Sequence, residues 1–429
     1  MTDLIAVIQK TRAQLLNAKS RQTRIALLHT LAKHQVLARA FNDAIRTYSE
    51  LLEGYSDLVN STAGDMDSRR LIQYTAILSN IAMLYRREGN PAEALRIYRK
   101  AIQMLEERMA KGENTGNVRL FASFRMHLFD ILGNEAALYR QLEDFDGCFD
   151  VYEKMLYVID RVIKSIKDAD ETLVGFDKNA TEDFRVIALR AQYSLARLHK
   201  AIGQIYFQEG EKQGAIDHFK QSVTWYKSTF SSIEIGKERI YGVRRIEMAE
   251  SLSNCATLHL QRHELDDALT LWTETLKLQR GEYEADHPSI LATLNNLAVA
   301  YEMKGDDKKA ISSHEQIFAI REQTLGKNNT DTGVSLVHIA NNKLKTGDFD
   351  DAMEKYAEAL SIFRNTHEHF HPKVAGVLYC MGCVHHRRGD FNDAIEVYEE
   401  VILIRKSTVG ELDVTVADTY IALGETYRR

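Results

Sequence analysis

The 429-residue chain has only three prolines and four cysteines, and nowhere does an apolar run approach the roughly 20 residues needed to span a bilayer. Scarce proline leaves long helices unbroken. Scarce cysteine excludes a disulfide-stapled scaffold and fits a reducing compartment. The opening MTDLIAVIQKTRAQLLNAKSRQ lacks the continuous apolar core of a signal peptide, so a cytoplasmic location is expected, without membrane insertion. Charge of one sign is also in short supply. A net charge of -6 and a pI near 6.2 give no basic footprint for nucleic acid, which is not expected as a partner. Neither a GxxxxGK[ST] phosphate loop nor a GxSxG elbow occurs, and no catalytic residue, metal or cofactor is expected.

What is present is helix-forming and periodic. Hydrophobic residues make up 45% and charged residues 27%, and the length exceeds a single hydrophobic core, which points to an elongated repeat array. One unit recurs as helix, short turn, helix. Its turns read REGNPAEA, QLEDFDGC, QEGEKQGA, RHELDDA, MKGDDKKA, KTGDFDDA and RRGDFNDA, with a divergent ARAFNDA near the start. Aligning them gives a small-residue column in the second helix: Ala44, Ala94, Cys148, Ala215, Ala268, Ala310, Ala352 and Ala394. A matching column in the first helix holds Ala32, Ala82, Ala136, Gly203, Ala256, Ala298, Ala340, Gly382 and, in an incomplete ninth unit, Gly424. Two antiparallel helices approach closely only where side chains at the crossing are minimal. Bulky residues stand around it: Tyr85, Tyr139, Tyr206, Tyr301 and Tyr427 in first helices, and Tyr48, Tyr98, Tyr152, Phe219, Trp272, Tyr356 and Tyr398 in second helices. These are read as core.

The pattern resembles the tetratricopeptide-repeat (TPR) family from about Ile25 onward, which implies an all-α, right-handed superhelical solenoid that binds other proteins. Residues 1–24 read as a capping helix with Leu4, Ile5, Ile8, Leu15 and Leu16 near one face. Residues 25–248 hold units 1–4, spaced irregularly and separated by polar loops such as NSTAGDMDS, KGENTGN and DADETLVGFDKNATED. Residues 249–429 hold units 5–8 at a constant 42-residue period, plus the partial ninth. Here HPSILATLNNLAVAYEMKGD, AIREQTLGKNN and HPKVAGVLYCMGC resemble kinesin light chain repeats.

In such an array the first helices line the concave face. Asn80, Asn134, Asn254 and Asn296 share one register position there, continued by His338 and Cys380. A carboxamide both donates and accepts, so a row of them can pair with the backbone of an extended peptide; the alternative is hydrogen bonding between neighbouring helices. The resemblance implies peptide contact most firmly at Asn296, within LNNLA. Asn295, Asn341, Lys345, Tyr379 and Arg387 are neighbouring candidates, and Lys345, Arg387 and Arg388 could favour an acidic segment. Cys380 and Cys383, with nearby His367, His369, His371, His385 and His386, have zinc-ligand chemistry, but they continue helix columns and a repeat-entry motif, so structural roles are expected. The favoured function is an adaptor that docks a linear motif or helix of a partner protein. The alternatives are a regulatory module of a larger motor or enzyme complex, and a structural subunit that self-associates through its C-terminal helix, where Tyr420, Leu423, Gly424 and Tyr427 fill core-facing columns with no second helix to cover them.

Overall fold

The computed structural model describes residues 2–60, 68–112, 118–172, 178–231, 241–367 and 370–429. Among these residues there are 18 helices and no strand, arranged in two compact units, Met1–Ile233 and Glu234–Arg429. In the first unit, α1 (Thr2–Leu16) precedes four helix pairs: α2 (Arg21–Leu37) with α3 (Phe41–Asn60), α4 (Ser68–Arg87) with α5 (Pro91–Gly112), α6 (Val118–Gln141) with α7 (Phe145–Thr172), and α8 (Lys178–Gln208) with α9 (Lys212–Ser231). The second unit pairs α10 (Tyr241–Gln261) with α11 (Leu265–Arg280), α12 (Pro288–Lys304) with α13 (Asp307–Leu325), α14 (Thr330–Thr346) with α15 (Phe349–Thr366), and α16 (Pro372–Arg388) with α17 (Phe391–Thr408). It ends on α18 (Val414–Tyr427).

The helix crossings fall where the small columns place them. All eight second-helix members are completely buried, and Ala32, Ala82, Ala136, Ala256, Ala298 and Ala340 match them in the first helices. At Gly382 even a methyl group would sit 2.6 Å from the Tyr398 ring, so close approach requires glycine there. Tyr48, Tyr98, Tyr152, Phe219, Trp272, Tyr356 and Tyr398 are buried around the crossings. Tyr427 and Tyr420 stand largely exposed on α18, and Gly424 has no atom near its would-be Cβ, because no second helix packs there. Leu423, by contrast, is buried with Ala394, Tyr398 and Ile402 of α17.

The N-terminal helix is shorter than the sequence pattern suggests. It stops at Leu16, and Ser20 instead caps α2 by accepting from the Thr23 amide at 3.0 Å. Ile5 and Leu16 are exposed, while Leu15 packs on the core and Arg12 pairs with Asp43 of α3 at 3.0 Å. Of the polar loops expected in the first unit, 61–67, 113–117 and 173–177 lie outside the described residues. The third is narrower than expected, since α7 runs through Thr172 and α8 begins at Lys178.

Within each unit the first helices touch their counterparts in the next repeat, α4 with α6 and α6 with α8, then α14 with α16 and α16 with α18. That layer is therefore the inner one. In the second unit its entry caps are regular: His287 Nδ1, Asn329 Oδ1, His371 Nδ1 and Asp413 Oδ1 each accept the amide two residues on, at 2.8 to 3.2 Å. Side chains at the seams recur every second repeat. Arg321 Nη1 donates to the Asp331 carbonyl and Ser335 Oγ, and 84 residues later Arg405 Nη1 donates to the Thr415 carbonyl and Thr419 Oγ1. Tyr283 stacks on His287 at 3.6 Å, and His367 on His371 at 3.9 Å. Lys304 pairs with Asp266, and Arg388 with Asp350. The second unit is thus built from a two-repeat module used twice.

Candidate ligand groove

The inner layer of the second unit carries a cavity of about 430 Å³ between α12 and α14, backed by α13. Leu291, Ile317 and Val334 make it apolar. Asn295, His338 and Arg321 supply its polar groups. Two expected contact residues, Asn295 and His338, therefore meet at one recess. Asn254 and Asn296 lie half-buried in the first-helix layer, and among the described residues neither carboxamide has a hydrogen-bond partner, so both are open to a ligand.

The other candidates go elsewhere. Asn134 Nδ2 donates to Ser79 Oγ of α4 at 3.1 Å, the cross-helix bond that was the alternative for this column, while Asn80 is half-buried on α4. Asn341 Oδ1 accepts from the Tyr356 hydroxyl at 2.5 Å and so serves its own repeat. Lys345 Nζ lies 3.8 Å from Glu302 Oε2. Arg387 donates to the Leu344 carbonyl at 2.8 Å over the Phe349 ring, and Arg388 pairs with Asp350 and Asp390. The basic side chains expected to favour an acidic segment are all engaged within the protein.

The repeated module supplies an internal contrast. Eighty-four residues after Asn295 stands Tyr379, whose ring lies 4.8 Å under the Arg405 guanidinium and 5.7 Å from the Tyr398 ring. An aromatic ring and its arginine thus occupy in the second copy the register that holds Asn295 and Arg321 in the first.

The sulfur and imidazole groups do not converge. Burial pushes the Cys380 thiol up to about 11 and raises Cys383, which accepts from the Tyr398 hydroxyl at 3.4 Å. His386 bonds Thr426 Oγ1 at 2.8 Å, and His385 Nδ1 faces Asp390 and Asp393 at 3.8 and 3.9 Å. One repeat earlier, Lys343 Nζ sits between Asp348 and Asp351 at 3.0 and 2.8 Å, so in both repeats the side chain at this register faces the two acidic residues of the turn. Residues 367–371 spell HExxH, a pattern that binds zinc only when both histidines share a helix face. Here α15 ends at Thr366, α16 begins at Pro372, and His371 is spent on capping; Glu368 and His369 lie outside the described residues. A second cavity of about 390 Å³ lies in the first unit between α5 and α7 over α6, lined by Met109, Leu128, Leu132, Tyr157 and Val158, and includes none of the expected residues.

Tetratricopeptide repeat models match residues 75–109, 190–229, 247–323 and 331–407, and the last two matches are themselves 84 residues apart. The chain belongs to the tetratricopeptide-repeat family, and it is similar to a kinesin light chain-related protein. Protein KINESIN LIGHT CHAIN-RELATED 2 of Arabidopsis thaliana is 23% identical over 248 residues, covering 55% of this chain and 35% of that protein. A Clustered mitochondria protein homolog of Aspergillus fumigatus is 23% identical over 171 residues, covering 40% and 12%. The chain thus spans about a third or less of the length of these curated relatives. Among solved structures, a putative kinesin light chain from Podosopora anserina with nearly identical TPR-like repeats is 24% identical, covers 51% of this chain and 96% of its own, and has a TM-score of 0.39. Part of a TPR protein from Cytophaga hutchinsonii covers 79% and 98% at 11% identity and a TM-score of 0.45. Among the described residues, no helix is long and apolar enough to cross a membrane.

Proposed function

We propose that this protein is a cytoplasmic, non-catalytic scaffold whose second unit holds a segment of a partner protein along α10, α12 and α14. The observation that carries this reading is the cavity between α12 and α14, an apolar recess with a polar edge, in the same first-helix layer as the carboxamides of Asn254 and Asn296, which have no partner among the described residues. An apolar side chain of the partner seats in the recess, and the asparagines align its backbone. Selectivity comes from that anchor and not from charge, since Lys345, Arg387 and Arg388 are already engaged.

The module's second copy suggests the experiment. Asn295→Tyr puts into the first copy the residue found at Tyr379, which closes the recess while keeping a side chain this fold accepts. Peptides selected on an array with the full chain should bind the variant at least about tenfold more weakly, the scale set by one buried anchor. Replacing Asn254 and Asn296 together with Ala should cost about 1 to 3 kcal/mol in binding, with helicity unchanged. Unchanged affinity in both variants would end the groove reading. A second reading is a TPR module acting within a larger assembly, and the exposed Tyr420, Ile421 and Tyr427 support self-association through α18 as one form of it.

A further inference from the structure

The second unit leaves two of its columns at three points, and two of these touch. At 42-residue spacing the second-helix aromatic column runs Trp272, His314, Tyr356, Tyr398, and the first-helix column runs Asn254, Asn296, His338, Cys380. His314 and His338 stack with ring centroids 4.9 Å apart and planes 13° apart, and both line the cavity. His314 is only 2% exposed. His338 is exposed at the groove, with its ring stacked on His314.

Glu302 of α12 ties the pair into the seam. Its Oε1 accepts from His314 Nε2 at 3.1 Å and from Asn342 Nδ2 at 2.7 Å, and Asn342 also donates to the His338 carbonyl. The charged groups facing the pair are this carboxylate, Arg321 on α13 and Lys345 on α14; from α16, Arg387 is held by the Leu344 carbonyl and the Phe349 ring. Burial would raise the Glu302 pKa, but hydrogen bonds from Asn342 and His314 and the charge of Lys345 outweigh it and hold the carboxyl below its usual range. Burial holds both imidazoles below theirs, more than Glu302 can offset.

We propose that the His314–His338 stack is a proton-operated switch of the groove: uncharged and closed as a cavity wall at neutral pH, charged and driven apart in acid. One carboxylate can balance one added proton. A second proton would place two cations face to face beside Arg321, so the His338 ring must leave the stack toward the cavity it borders. The sign follows from the direction of the shifts. Each imidazole binds a proton less readily folded than unfolded, so the stack's contribution is complete above about pH 6.5 and is lost as the pH falls through the lower folded value.

This switch does not depend on the groove's having a partner, and it can fail while the scaffold reading stands. Local readout is essential, because the first unit holds another histidine pair, the half-buried His199 and His218, with His199 pushed down to about 4 by burial. Hydrogen exchange of the full chain, corrected for the intrinsic pH effect, should show protection across residues 307–346 falling about tenfold or more between pH 7.5 and 5.5. His338→Asn restores the residue found at Asn254 and Asn296, and it should remove most of that fall. An acid response that survives in the variant, or none in the native chain, overturns the proposal. Should the variant lose helicity, residue-assigned imidazole titration of the native chain by NMR decides instead: His314 and His338 titrating together below the ordinary range support the switch, and normal titration of these two rejects it, whatever His199 and His218 do.

Discussion

The first unit lets its spacing drift and the second does not. From Ala44 to Ala268 the intervals are irregular and helix lengths reach 31 residues in α8, whereas Ala268, Ala310, Ala352 and Ala394 keep one interval. Both units nevertheless bury every small residue at the eight complete crossings. Close approach of paired helices is therefore the shared requirement, and constant length is an additional one that the second unit meets. What constant length adds is register: ion pairs, caps and ring stacks recur at fixed offsets, so a departure from a column becomes informative. The turns show a weaker contrast. Glycine at positive φ closes three of the second unit's four pair turns, at Gly305, Gly347 and Gly389, with His263 as the exception, and two of the first unit's four, at Gly89 and Gly210, with Arg39 and Glu143 as the exceptions.

The largest expected effect tests what the units share. Ala310→Leu and Ala215→Leu should each destabilise their unit by about 1 to 3 kcal/mol through overpacking, read from urea denaturation. Comparable losses support one crossing rule for both; a native-like curve for either variant shows its column to be misplaced. Next in size, Gly347→Ala should cost about 1 kcal/mol, since a side chain in the left-handed region is strained. The smallest effect has the opposite sign. Glu143→Gly should stabilise the first unit by less than about 1 kcal/mol, the relief of left-handed strain being partly offset by added chain freedom. If it destabilises instead, the non-glycine turns of the first unit hold contacts beyond backbone conformation, and the contrast between the units narrows.

Much of this was legible in the sequence, because the crossing residues are set by a local requirement that repeats. Helix pairing and the buried aromatics follow directly from the two small columns. The recess does not, since an open space depends on which neighbouring side chains stay short. Asn295 and Tyr379 hold the same place in successive modules, yet only the fold shows the ring of Tyr379 beneath Arg405. Asn134 and Asn341 look like surface ligands in one dimension and serve the protein's own hydroxyls in three. His314 was signalled only as a gap in the aromatic column between Trp272 and Tyr356. A gap states that packing differs there, and it does not say that a second exception, His338, lies against it.

The alternating seams have a consequence for how such a chain can be lengthened or cut. Entry to α12 and α16 is held by a stacked ring on a histidine cap, and entry to α14 and α18 by a two-pronged arginine. Removing one repeat would bring together ends made for different neighbours, whereas removing two in succession restores each junction to its own kind. The second unit therefore counts in steps of 84 residues, and an insertion or deletion of that length is the smallest change of size that leaves every remaining joint chemically as it was.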